Sequence, residues 1–322
     1  MAAYKISIDL GNLVLKGVSK DKTGKKKRFK ISNRVTTSND ATRQKRKLQV
    51  NGRTLYVGDG ALQNNIIKCE RNHVMDQILV MIGALTDKKD SVVDVDLALG
   101  LPPKQEFNES YKKTLIDKVT VGTPIECRIG GDYKQINIKS LHIYHEGYSA
   151  YCHVYDENFA NTTLVVDIGG GTIDACSYAL NIDTDEIEPV RVHTIETGAI
   201  AFIEELRGYI NEDLNANVPF DTIDDAYRSN GIFRYKGIDH QVGKYIHLIK
   251  PTIDSVVNNL ANKYEDLNNY QIIPVGGGAK LFTELAKDKI SDLYEVDSEE
   301  GFYANAEGYL EQLEEDLEEV GA

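Results

Sequence analysis

The chain has 322 residues, 41% hydrophobic and 27% charged, which is ordinary globular material able to bury the cores of roughly two domains. No run of eighteen apolar residues occurs, which excludes a helical membrane span; the opening MAAYKISIDLG carries no charged-then-apolar leader, so export is not expected. Cys69, Cys127, Cys152 and Cys176 form no CxxC pair and have no histidines at zinc spacing, so reduced core thiols of a cytoplasmic protein are the expectation.

The net charge of −13 hides an uneven distribution. Lys16 to Arg53 holds fourteen Lys/Arg and two acids, Asp21 and Asp40, whereas Glu295 to Glu319 holds eleven acids and no base. Two solvated faces are one reading. The sharper reading is attraction between opposite ends of successive molecules, as head-to-tail assembly requires. Nucleic-acid binding by KKKR (25–28) and RQKRK (43–47) is the weaker alternative in so acidic a chain.

Along the chain, YKISIDL (4–10) and then VLKGVSK, behind Gly11 and Asn12, predict a β-hairpin, with a third strand over 27–32. Residues 33–47 predict a mobile loop, Val74 to Leu85 a helix, and Val93 to Leu101 a strand stopped by Pro102 and Pro103. Helices over 108–118 and 145–155 bracket strands near 125–129 and 133–143. The opening pattern then returns: a strand over Thr162 to Ile168, a turn over Gly169–Gly171, and a strand from Ile173 to Leu180. IDLGN (8–12) and VDIGG (166–170) each place an aspartate just before the glycine turn, which points to an internal duplication. Helices over 198–213, 220–229 and 238–263, a strand over Gln271 to Val275, a third glycine run and a helix from about 302 complete the reading.

A glycine turn between strands exposes successive backbone N–H groups with no Cβ in the way, a cradle for phosphate oxygens. A carboxylate beside it would repel phosphate unless a cation intervenes. That implies Mg²⁺, held through waters because it sheds its hydration shell reluctantly. Two such hairpins could clamp one polyphosphate. The strand, three glycines and helix of IIPVGGGAKL (272–281) have the geometry to seat an adenosine. Neither GxxxxGK[ST] nor GxGxxG in a βαβ setting is present, which disfavours P-loop and dinucleotide folds.

In order and spacing these segments resemble the actin/Hsp70/sugar-kinase ATPase superfamily over nearly the whole chain. IDLGNLVLK (8–16) is similar to its first phosphate loop, HEGYSAY (145–151) to its first connecting helix, and VVDIGGGTID (165–174) to its second phosphate loop. IPVGGGAKL (273–281) is similar to its adenosine loop and FYANAEGYL (302–310) to its second connecting helix. The latter, with GLPP (100–103) and YVGDGAL (56–62), resembles the ParM-like bacterial actins.

The resemblance implies an α/β actin-like ATPase fold, two duplicated domains with a nucleotide cleft between them. Domain I would span 1–158, with the helix 302–322 packing back on it, and domain II 159–301. Asp9 and Asp167 would order the waters around Mg²⁺, and Lys16 would reach the β- and γ-phosphates. Gly11, Asn12, Gly169, Gly170, Gly171 and Thr172 would line the phosphates, although relatives often carry Ser or Thr where Asn12 stands. Glu146 would orient the attacking water, with Asp174 a second candidate; one positioning carboxylate with Mg²⁺ and a lysine suffices for phosphoryl transfer. Tyr148 stands where many relatives have proline. Gly276, Gly277 and Gly278 would carry the adenosine, and Glu204 or Glu205 would reach the ribose.

The function implied is a cytoplasmic filament former that polymerises with ATP (GTP being the alternative) and hydrolyses it, for plasmid segregation. Its partners would be copies of itself and a DNA-binding adaptor at a centromere-like site, with no membrane. A small-molecule kinase and a chaperone-like regulatory ATPase are the alternatives.

Overall fold

The computed structural model describes residues 3–21, 23–39, 45–63, 65–120, 122, 124–155, 162–181 and 186–321. It divides into two compact units, Met1–Phe159 with Val296–Ala322, and Ala160–Glu295.

In the first unit a ten-stranded sheet begins, in spatial order, with Lys26–Ser32, Val14–Lys20, Tyr4–Leu10 and Val92–Leu101. Tyr4–Leu10 pairs antiparallel with Val14–Lys20 and parallel with Val92–Leu101. The two-residue alternation of a strand sorts its side chains. Ile6, Ile8 and Leu10 join the core with Ile78, Met81 and Ile82 of the helix Val74–Leu85. Ser7 and Asp9 therefore face the other way, where the Ser7 hydroxyl donates to the carbonyl of Ala306 in the helix Ser298–Gly321 (2.5 Å). Lys16 lies directly opposite Asp9 in register, on that same face.

The second unit repeats this order: Glu186–Ile195, Ile173–Asn181, Thr162–Ile168 and Gln271–Val275, the last pairing parallel with the third. Each hairpin sets its aspartate opposite the residue seven positions on, Asp9 with Lys16 and Asp167 with Asp174. Lys16 and Asp174 thus hold equivalent places in the repeated motif. Helices Ala199–Asp213, Lys250–Tyr264 and Ala279–Ala286 supply Phe202, Leu206, Ile253, Val257 and Phe282 to its core.

Several elements depart from the sequence expectations. The helix expected over 238–263 begins only at Lys250, with Pro251 in its first turn. Residues Ile232–Tyr235 and Ile238–Gln241 instead form a hairpin. Its turn residues Lys236 and Gly237 both have positive φ (48° and 82°), the geometry that matches strand twist. The helix expected over 145–155 is shorter, because the strand runs to His145 and Gly147 takes φ +81°, which a right-handed helix cannot contain. The helix is Tyr148–Val154, and Glu146 sits on the turn before it. Within 33–47, the segments Arg34–Thr36 and Arg46–Val50 begin or end strands, and residues 40–44 lie outside the described residues.

The uneven charge also finds a nearer use than assembly. The basic strand Lys26–Ser32 lies by the acidic C-terminal helix of its own unit. Glu307, fully buried, takes Lys26 at 2.8 Å and the Arg28 Nε at 2.6 Å, and Glu314 takes Lys5 and Lys20. Part of the uneven charge, Lys20, Lys26 and Arg28 with Glu299, Glu307 and Glu314, is therefore paired inside one unit. Close packing holds the same helix on its inner side. A Cβ at Gly308 would stand 1.9 Å from the Ser149 carbonyl oxygen, so only glycine lets the two helices approach this closely.

Candidate functional site

Five charged side chains in the first unit meet with almost no access to water. Asp9, Lys16, Lys68, Arg71 and Glu146 are each 6% exposed or less. Lys16 reaches Asp9 Oδ2 at 2.6 Å, Lys68 lies 3.6 Å from Asp9 Oδ1, and Lys68 also forms a tight ion pair with Glu146. Burial alone would raise the Asp9 carboxyl, but the two ammonium groups outweigh it and hold it below the usual carboxylate range. Burial brings the Arg71 guanidinium down to about 10, against the pull of Glu146 and Asp9. Arg71 donates to the Leu10 carbonyl and to Asn12 Oδ1, both at 2.6 Å.

Three cations against two carboxylates leave this group of five with an excess positive charge in a dry place. A buried charge that is not fully compensated is costly, so the cluster favours an added anion. Lys16 is no exposed strand lysine: alternation directs it inward onto Asp9. Gly11 lets the loop close, since a Cβ there would lie 2.4 Å from the Val14 carbonyl oxygen. Asn33, fully buried, donates its amide to the carbonyls of Gly11 (2.7 Å) and Asn12 (3.2 Å) and fixes the loop from below.

Lys68, Arg71 and Asn33 are absent from the sequence reading. Lys68 belongs to a single 3₁₀ turn, Lys68–Glu70, in a stretch without periodicity, so nothing local marks it as buried. Its backbone N–H donates to Gln105 Oε1 at 3.0 Å, a partner 37 residues on.

In the second unit the loops of Asp167 to Thr172 and Gly276 to Gly278 pack together. Gly276 has φ +88°, and a Cβ on it would stand 2.3 Å from Asp167 Oδ1. The N–H of Gly278 donates to the Ile168 carbonyl (2.9 Å), and the Gly169 N–H closes its turn on the Thr172 carbonyl (3.0 Å). The first amides of the helix Ala199–Asp213 bind the loop as well, Ala199 to the Gly169 carbonyl and Ile200 to that of Gly170, both at 2.9 Å. Asp174 accepts from the hydroxyls of Thr172 (2.9 Å) and Thr194 (2.7 Å), so it braces Thr172. Arg228, which sequence reasoning missed, donates to the Gly277 carbonyl at 3.2 Å while held by Asp224. Glu204 and Glu205 stand apart from these loops in their described contacts: Glu204 pairs with Arg207, and Glu205 accepts from Thr252.

No group of three or more His, Cys, Asp or Glu that could hold a metal directly exists among the described residues. Asp167, beside its glycine turn, suits an ion that keeps most of its water, such as Mg²⁺, rather than a closed zinc-type site. Asp9 would have to exchange an ammonium contact of Lys16 or Lys68 for metal-bound water.

Two family models match the chain in succession. Residues 7–148 match the N-terminal domain of actin-like proteins, and residues 165–287 the C-terminal part of the archaeal actin homologue, MreB-like family. No curated protein matches the chain by sequence. Solved structures match it over nearly their whole length at low identity. The apo ParM protein of pSK41 is 19% identical, with 100% of each chain covered and a TM-score of 0.70. An archaeal actin homologue in complex with ADP is 19% identical, with 97% of this chain and 99% of that chain covered and a TM-score of 0.75. The ParM of a 15-stranded filament from Clostridium botulinum is 18% identical, with 98% and 100% covered and a TM-score of 0.73. These likenesses establish an actin-like two-domain α/β fold.

Proposed function

Because this chain belongs to the actin-like proteins, we propose that it binds ATP with Mg²⁺, polymerises in that state, and hydrolyses the nucleotide to weaken the polymer. The observation that carries this reading is the buried group of three cations and two carboxylates around the first glycine turn. Such a group carries an excess of positive charge that a polyanion would offset.

In the first unit, Lys16, Lys68 and the amides around Gly11 and Asn12 would receive phosphate oxygens, and Asp9 would hold metal-bound water. In the second, the amides of Gly170 and Gly171 would do the same, and Asp167 would hold metal-bound water. Gly169 and Thr172 would shape that turn, through the Gly169 N–H on the Thr172 carbonyl and the Thr172 hydroxyl on Asp174. When bound, Mg²⁺ would neutralise charge that develops on the phosphate oxygens. Glu146 would align the attacking water; its carboxylate is kept in place by Lys68 and its backbone N–H by the Leu101 carbonyl (2.9 Å). Asp174 would act one step back, by orienting Thr172. Gly276, Gly277 and Gly278 would carry the adenosine with Arg228 steadying the loop. Glu204 or Glu205 would reach the ribose from the helix whose first amides bind the Gly169 and Gly170 carbonyls.

Two of the matching structures are a C. botulinum ParM filament and AlfA of a B. subtilis plasmid, itself solved as a filament. Self-assembly is proposed here on that likeness, and plasmid segregation in the cytoplasm through a DNA-binding adaptor is the setting proposed for it. Right-angle light scattering tests the reading. Scattering should rise when MgATP is added and decay as phosphate is released. A protein that binds MgATP yet scatters as a monomer at every concentration would sink the filament reading and favour a non-polymerising ATPase.

A further inference from the structure

Glu146 sits on a two-residue turn, and its neighbour Gly147 holds a left-handed conformation (φ +81°, ψ −49°). The Gly147 N–H finds its partner outside the local chain. Asn305 Oδ1, on the C-terminal helix 158 residues away, accepts it at 3.0 Å. Asn305 is 3% exposed, so this bond is made out of reach of water. An unmet amide there would cost about 1–3 kcal/mol, enough to make the turn relax into another shape.

The same turn of helix reaches the other charged residues. Ala306 accepts from Ser7, two residues before Asp9 on its strand, and the Phe302 ring lies 5.0 Å from the Lys16 ammonium. Phe302 to Ala306 thus touches the supports of Asp9, Lys16 and Glu146 together. We propose that Asn305 is a positioning residue for hydrolysis, which sets the Glu146 carboxylate by holding the Gly147 N–H. This rests on the reading of Glu146 given above. Asn305 acts through the turn, by its bond to the Gly147 N–H.

Asn305→Leu removes the acceptor at nearly constant volume, and Asn305→Asp keeps an oxygen at the same place. The Leu variant should lose roughly 10- to 100-fold in kcat for phosphate release, the scale of a misplaced reacting group. MgATP affinity by calorimetry should stay within about twofold, because water alignment contributes to the transition state and not to ground-state binding. The Asp variant should recover most of the rate. The double variant Asn305→Leu with Glu146→Gln should be no slower than Glu146→Gln alone, since both act through one carboxylate. Should the Leu variant fail to fold, Asn305→Ser carries the same test, its short hydroxyl falling short of the Gly147 amide. Wild-type phosphate release in the acceptor-less variant, or an equal loss in the Asp variant, or additive losses in the double variant, would each overturn the proposal. A Glu146→Gln protein that hydrolyses at the wild-type rate would instead remove the reading of Glu146 itself.

Discussion

Glu146→Gln is expected to slow phosphate release by about 100-fold or more while leaving MgATP binding nearly unchanged. Glutamine matches the shape of Glu146 and can still accept from Lys68, so the turn and its bond to Asn305 should survive. What it loses is the negative charge that aligns a water and draws its proton. Polymers formed with ATP should then persist for as long as the nucleotide remains intact. The measurement is phosphate release followed in parallel with light scattering. If phosphate appears at the wild-type rate, another group holds the water, and Asp174, which braces Thr172, is the next to replace.

Loss of the Glu307 carboxylate should be the largest stability effect among single charge changes on the C-terminal helix. Glu307 is fully buried between Lys26 and Arg28, whose side chains are 45% and 36% exposed. Removing one partner of a fully buried pair costs about 3–5 kcal/mol, largely for the charge left behind. Here the abandoned cations can turn to water, so about 1–3 kcal/mol is expected for Glu307→Gln, read from urea denaturation.

The same contact predicts an acid dependence. Burial would raise the Glu307 carboxyl, but hydrogen bonds and charge from Lys26 and Arg28 hold it below its ordinary value of 4.5. Its folded pKa is therefore lower than its unfolded one. The stabilisation is fully present above about pH 4.5 and is lost as pH falls through the depressed folded value. Glu314, held down in the same direction by Lys20 and Lys5, adds to the slope. Glu307→Gln should flatten the acid limb of stability against pH; an unchanged limb would mean that Glu307 is not titrating there.

How much of this could be read in the residues differs from element to element. Asp9 was legible as the last polar residue before a glycine turn and Lys16 only through the resemblance, while the repeated Asp-x-Gly pattern announced the second hairpin. That the two lie opposite each other came from the strand register. Lys68 and Arg71 were not. Lysine and arginine are exposed by default, and these two are buried only because Glu146 and Asn12, 78 and 59 residues distant, come to meet them. The opposite charges of the two chain ends were plain in the residues, but charge alone does not say whether they meet within one molecule or between two. The structure places Lys26 and Arg28 against Glu307 of the same unit. Gly147 had a similar double meaning: the HEGYSAY segment has helical spacing, yet its glycine stops the helix short of Glu146.

Calorimetric titration of ATP with Mg²⁺ into the wild type, Asp9→Ala and Asp167→Ala addresses the nucleotide site most directly. Each aspartate ends a hairpin strand beside a glycine turn, and each is assigned the waters of one metal ion. The wild type should bind in a Mg²⁺-dependent manner, and either substitution alone should weaken binding by roughly 100-fold or beyond detection, the loss of about 3 kcal/mol. Wild-type affinity for MgATP in both substituted proteins would contradict the account.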